Sequence, residues 1–163
     1  MRRVFMSCVI VASFLNSSLP STAGGYGGGA GCCRITPKEA QSFLSLADAY
    51  QDGGFRVKHR DSAGATAKTS SKQDYAYGFG SSQTDIQSDV GVRSWKRSIQ
   101  RGEAHVSTGS ASAAGFSATF LKVRTTDGRY YMYKGMASAS ASAGPGGTST
   151  SGTALGKSVG GRF

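Results

Sequence analysis

The chain has 163 residues, of which 24 are glycine, and only 17% of its residues are charged. This length allows one domain, while a glycine content well above the ~7% of average proteins leaves little material for a large core. The low charged fraction excludes a disordered chain that is kept open by charge repulsion. A formal net charge of +10 favours acidic partners, either a polyanion (nucleic acid, anionic lipid headgroups or acidic polysaccharide) or an acidic protein.

Residues 1–23 have the pattern of a secretory signal peptide. Arg2 and Arg3 precede an apolar run over residues 4–15, and small residues at 21–23 precede a cleavage point before Gly24. Loss of this leader would reduce the charge from +10 to +8. The apolar run is shorter than the ~20 residues of a spanning helix, and no later segment is apolar enough. We therefore expect a secreted or cell-surface protein without an integral membrane span in the mature chain.

Residues 24–35 form a Gly-rich linker that contains Cys32 and Cys33. Three states are open for this pair in an exported protein: a disulfide between chains, a lipid on Cys32, or unpaired or strained vicinal thiols. The lipid is the less favoured alternative, because the residues before Cys32 only faintly resemble a lipidation motif. His59 and His105 have no metal-site spacing relative to the cysteines, so we predict neither a metal nor a cofactor.

Residues 37–52 have the pattern of an amphipathic helix. Thr36, Pro37 and Glu39 fit a capping box with proline in the first turn. The apolar residues that recur at helical spacing are Ala40, Phe43, Leu44, Ala47 and Tyr50. Gly53-Gly54 would end the helix.

The middle of the chain alternates strand-like and polar segments. Residues 55–60 predict a strand with Phe55 and Val57 inward, 62–72 predict a loop, and 75–79 predict another strand. Residues 92–101 form the densest positive cluster, for which we favour a short helix over a strand with Trp95, Arg97 and Ile99 on one face. The candidate anion-binding residues are Arg93, Trp95, Lys96, Arg97 and Arg101.

A long hairpin over about 116–139 is the clearest sheet prediction. Asp127-Gly128 fits a two-residue turn in which Thr126 faces Arg129. The hairpin could extend into Ser/Ala tracts at 110–114 and 137–143. This register predicts a core face of Leu121, Val123, Tyr130, Met132 and Met136. It predicts a second basic and aromatic face of Lys122, Arg124, Tyr131 and Tyr133.

Together these elements predict an α+β fold with Gly/Ser/Ala-rich flexible segments. In this fold the small antiparallel hairpin sheet is packed by the helix within one domain at 36–143, and a flexible tail follows at 144–163. No catalytic motif is present, and the nine acidic residues are scattered. We expect an exported, non-enzymatic structural or interaction protein that self-associates through β-strands. The alternative is a secreted basic module that binds a polyanion or an acidic protein. Nucleic acid and small-molecule substrates are not favoured.

Overall fold

The computed structural model describes residues 10–11 and 38–163, and its regular structure there consists of β-strands. The strands are β1 (Ile10–Val11), β2 (Lys38–Asp52), β3 (Phe55–Thr69), β4 (Tyr75–Gln87), β5 (Val92–Ser107), β6 (Ser110–Thr125), β7 (Arg129–Gly144) and β8 (Gly147–Arg162). The fold is all-β, so the predicted α+β class is wrong. Apart from β1, the predicted leader and the cysteine linker lie outside the described residues.

Two antiparallel sheets pack face to face. The first has the order β1-β2-β3-β4, in which β1 contributes two residues beside β2, and the second has the order β5-β6-β7-β8. Residues 88–91 carry the chain from one sheet to the other. Strand β2 packs on β7 and β8, β3 packs on β6 and β7, and β4 packs on β5 and β6. The molecule is therefore a two-layer sandwich of long strands, in which strands that are adjacent in a sheet are also consecutive in the sequence.

Residues 38–52 of the predicted helix instead form β2, which pairs with β3 along its whole length from Lys38↔Thr69 to Asp52↔Phe55. The same residues also fit a period of two, because Ala40 and Leu46 are buried and Leu44 lies against Gly152 of the opposing sheet, while Phe43 is exposed. A 15-residue partner strand provides a backbone hydrogen-bond ladder that outweighs the local helix signals. Gly53-Gly54 forms the hairpin turn rather than a helix end, with Gly53 at φ 57°.

Three further segments differ from their predictions. The favoured helix at 92–101 lies in β5, the predicted loop at 62–72 largely continues β3, and the predicted flexible tail contains β8. Each gains its order from pairing along a neighbouring strand, which residue composition alone does not reveal. The strands predicted at 55–60 and 75–79 are confirmed, with Phe55 and Val57 fully buried.

The β6–β7 hairpin is confirmed, but its register is one residue away from the prediction. Val123 pairs with Tyr131 rather than with Met132, and Ala113 rather than Ala114 pairs with Ala141. Three residues, 126–128, form the turn, and Gly128 occupies it at φ 86°. A shift of one residue turns every side chain of β7 to the opposite face. Tyr131 and Tyr133 therefore enter the core, and Met132 and Met136 lie outside.

The core changes character along the strands. Near the 53–54 and 126–128 turns it consists of large side chains, including Leu46, Phe55, Leu121 and Tyr131. At the other end it consists almost entirely of alanine. There the sheets approach so closely that a Cβ at Gly80 would overlap the backbone carbonyl of Phe116. Alanines of the predicted 62–72 loop and of the Ser/Ala tracts therefore form a thin interface between the sheets.

Candidate anion-binding face

The outward surface of the second sheet, which we call the basic face, collects most of the cations that this sheet carries. Paired residues of antiparallel strands point to the same side, and the registers of β5–β8 run without a bulge. The cations on the face are Arg93, Arg97, Arg101, Lys122, Arg124, Lys134 and Lys157. These seven residues come from four strands, so they form a patch rather than a line.

Strand alternation divides the residues of the first predicted cluster. Arg93, Trp95, Arg97 and Arg101 are odd-numbered residues of β5 and lie together on the basic face. Lys96 points to the other side, where its Nζ donates to the backbone oxygen of Ser82 in the opposing sheet at 3.2 Å. The structure therefore brings four of the five predicted residues together.

Two residues of the second predicted cluster join the same surface. Lys122 lies opposite Trp95, and Arg124 lies opposite Arg93. Tyr131 and Tyr133 do not belong to it, because the register places them in the core, where they are 0% and 2% exposed. The prediction that these tyrosines share a face with Lys122 and Arg124 is corrected accordingly. Lys134 and Lys157, which belong to neither predicted cluster, face each other across β7 and β8.

The electrostatics of the basic face are one-sided. Arg93 and Arg124 are a directly opposed pair of like charges, as are Lys134 and Lys157, and such pairs destabilise a sheet. The face contains one acidic residue, Glu103, near its alanine-rich end. Within the described part of the chain, no ion pair involves any of the seven cations. An anion bound here would relieve repulsion that the protein itself leaves uncompensated.

A groove of about 500 Å³ lies at one end of the basic face. Arg93, Trp95, Lys122 and Arg124 line it together with the 125–126 segment and Gly91. The Trp95 ring packs edge-on against the Phe120 ring, with 5.4 Å between the ring centroids, and this contact holds the indole at the groove wall. The Arg124 guanidinium lies 5.2 Å from the centre of the Phe163 ring. The groove thus offers three cations and an aromatic wall to one ligand group.

A second polar cluster lies between the sheets around Asp61, which is 0% exposed. Its Oδ1 accepts hydrogen bonds from the hydroxyls of Ser117 at 2.8 Å and Thr119 at 2.7 Å. Its Oδ2 accepts from the Tyr133 hydroxyl at 3.0 Å and contacts His59 Nε2 at 3.2 Å. Four side chains from three strands, β3, β6 and β7, therefore meet at one carboxylate.

The charge of Asp61 is stabilised by its donors. Burial alone would raise the pKa of Asp61, but hydrogen bonds from His59, Thr119 and Ser117 outweigh it and lower the pKa. Burial and the nearby carboxylate raise the pKa of Tyr133, so this hydroxyl remains a donor. The carboxylate is accordingly a fully satisfied, ionised acceptor within the core.

The Asp61 cluster has the residue types of a hydrolase site in a different arrangement. Ser117 donates directly to Asp61, whereas a catalytic serine is activated by a histidine that lies between the two. His59 Nδ1 instead contacts the Thr84 hydroxyl at 2.8 Å, and His59 is 2% exposed. The cluster ties β3, β4, β6 and β7 together, which is a structural role. His59 is therefore a core residue.

Arg129 joins three turns at the end of the sandwich. Its guanidinium pairs with Asp127 and Asp89, and it donates to the backbone oxygen of Asp52 at 2.7 Å. Hydrogen bonds from Thr125 and Arg129 lower the pKa of Asp127 to about 2. This contact set fixes the turn whose length determines the β6–β7 register, and with it the composition of the basic face.

The remaining observations concern other kinds of site. Within 10–11 and 38–163, no group of three or more His, Cys, Asp or Glu side chains is placed to hold a metal ion. The described residues include no helix with the length and hydropathy that crossing a membrane requires. Cys32 and Cys33 lie outside those residues. Comparison with protein-family models, curated proteins and solved structures gave no match.

Proposed function

We propose that this chain is an exported, non-enzymatic interaction protein that binds an anionic partner through the basic face. One observation carries the proposal: seven cations from four strands share one sheet surface with a single acid, and none of them is ion-paired within the described residues. The outer face of the first sheet is different, because its four cations (Arg56, Lys58, Arg60 and Lys68) share it with Glu39 and Asp85. The partner class is a polyanion or an acidic protein.

Neighbouring residues of β5 provide the first test. Arg97→Gln and Lys96→Gln remove the same charge from adjacent positions that point to opposite faces. We expect Arg97→Gln to weaken binding to heparin, used as a soluble polyanion, about fivefold, because a cation near a dense anionic surface contributes roughly 1 kcal/mol. We expect Lys96→Gln to change the affinity less than twofold. Titration calorimetry of both variants measures the difference.

Equal weakening by the two variants would contradict the proposal, because it would mean that net charge rather than the basic face determines binding. The circular dichroism spectra and melting temperatures of both variants serve as the folding control.

Self-association through β-strands is the second candidate function, and β8 is the observation that favours it. This strand is an edge of the second sheet, and residues 147–156 within it carry no charge. The opposite edge, β5, carries Arg93, Lys96, Arg97 and Arg101, which is the usual protection of an edge against pairing. An uncharged edge of ten residues offers backbone donors and acceptors to a second copy of the chain, apart from the Ser151 oxygen, which accepts from the Ser42 hydroxyl at 3.0 Å.

Thr153→Lys tests this candidate by placing a charge on the open edge. We expect the native protein to form dimers or larger assemblies in the presence of reductant, so that Cys32 and Cys33 do not contribute, and Thr153→Lys to shift the mass towards the monomer. Thr66→Lys is the matched control, because Thr66 faces outward on the central strand β3. Light scattering reports the mass, and a native protein that is already monomeric would exclude the candidate.

A further inference from the structure

Large apolar side chains are interspersed among the cations of the basic face. Trp95 is 54% exposed, Leu155 is 61% exposed and Val159 is 44% exposed. The remaining exposed apolar residues on the face are Ile99, Phe120 and Phe163. They occur on β5, β6 and β8 and after β8, so apolar and cationic groups alternate over the whole width of the sheet.

The aliphatic members of this set distinguish between anionic partners. A soluble polyanion binds to cations, and stacking on aromatic rings can add to its affinity, but Leu155, Val159 and Ile99 would contribute nothing to its binding. A bilayer surface binds both kinds of group, because cations attract anionic headgroups and apolar side chains enter the boundary between headgroups and acyl chains. Tryptophan in particular is enriched at that boundary.

We propose that the basic face docks onto the surface of an anionic lipid bilayer. This inference rests on the proposed function and narrows its partner class to a polyanionic lipid surface. The groove lined by Arg93, Trp95, Lys122 and Arg124 receives a headgroup phosphate, and the six apolar side chains enter the interfacial layer around it. The seven cations match the negative surface of such a bilayer, and the opposed pairs Arg93–Arg124 and Lys134–Lys157 lose their mutual repulsion there. No part of the described chain needs to cross the membrane.

Trp95 is the only tryptophan of the chain, so its fluorescence reports on this face alone. We expect a blue shift and co-sedimentation with vesicles of phosphatidylcholine mixed with phosphatidylglycerol, and neither effect with pure phosphatidylcholine. The double variant Leu155→Ser, Val159→Ser removes apolar area from the face without changing charge. It is expected to weaken vesicle binding about tenfold and to leave heparin binding unchanged.

The double variant Phe43→Ser, Tyr77→Ser is the matched control, because both side chains are exposed on the outer face of the first sheet. It should bind anionic vesicles like the unmodified chain. Heparin binding without vesicle binding, or vesicle binding that Leu155→Ser, Val159→Ser leaves intact, would overturn the lipid proposal and leave the proposed function standing. Loss of both kinds of binding in the unmodified chain would overturn the two together.

Discussion

Replacing Asp61 by asparagine should lower the free energy of unfolding by about 3 kcal/mol. The carboxylate accepts four hydrogen bonds inside the core, and bonds to a charged acceptor contribute roughly 1.5–3 kcal/mol each. An asparagine amide presents its own donors to groups that are already donors, so at least one pair of buried polar atoms loses its partner. Urea denaturation followed by circular dichroism measures the change.

Asp85→Asn is the control for Asp61→Asn, because Asp85 lies on the outer face of β4 opposite Lys58. An exposed pair of this kind contributes at most about 1 kcal/mol. If both substitutions lower the free energy of unfolding by the same amount, the Asp61 cluster does not hold the two sheets together in the way that its geometry indicates.

The dependence of stability on pH gives a second readout of Asp61. Its pKa is lowered in the folded state, so its contribution is complete above the ordinary value of 3.8 and is lost as the pH falls through the lower folded value. The unmodified chain should therefore lose stability over that range more steeply than Asp61→Asn. If the free energy of unfolding fell equally steeply with pH in the two proteins, an ionised Asp61 in the core would be excluded.

The sequence was sufficient for the β6–β7 hairpin but not for its register. Asp127-Gly128 correctly marks the turn, yet a two-residue and a three-residue loop both fit those residues. The structure has the longer loop, in which Gly128 has a positive φ and Arg129 is held by Asp127. Since the two loops differ by one residue in register, the choice determined whether Tyr131 and Tyr133 were placed in the core or on the basic face.

Helix and strand signals overlap in β2 and β5, which is why the fold class was wrong. Ala40 and Leu44 are compatible with both periods, and a capping box at Thr36–Glu39 describes local preference without the competing strand partner. In β5 the alternation of Arg93, Trp95, Arg97 and Ile99 was visible, but no apolar stripe on the other face confirmed it. An edge strand that buries little side-chain area shows only a weak alternation of apolar and polar residues in its sequence.

The sequence contains a signal for the Asp61 cluster. Phe55 and Val57 were predicted to point inward, and continuing that alternation places His59 and Asp61 on the same buried face. A buried carboxylate requires donors, which would have pointed to hydroxyls on the opposing sheet. Their identity as Ser117, Thr119 and Tyr133 depends on how the sheets stack, and no local pattern contains that information.

The most direct test of the basic face compares two triple variants with the same loss of charge. One carries Arg93→Gln, Arg97→Gln and Arg101→Gln on β5, and the other carries Arg56→Gln, Lys58→Gln and Arg60→Gln on the outer face of β3. We expect the first to raise the dissociation constant for heparin about 100-fold, since three cations contribute roughly 1 kcal/mol each. We expect the second to raise it by less than about threefold at physiological ionic strength, where distant charges are screened.

Titration of both triple variants under identical salt conditions therefore decides whether the second sheet carries the binding surface. A 100-fold loss confined to the β5 variant is the expected result. Equal losses in the two variants, or an unchanged affinity in the β5 variant, would contradict the assignment of anion binding to this face.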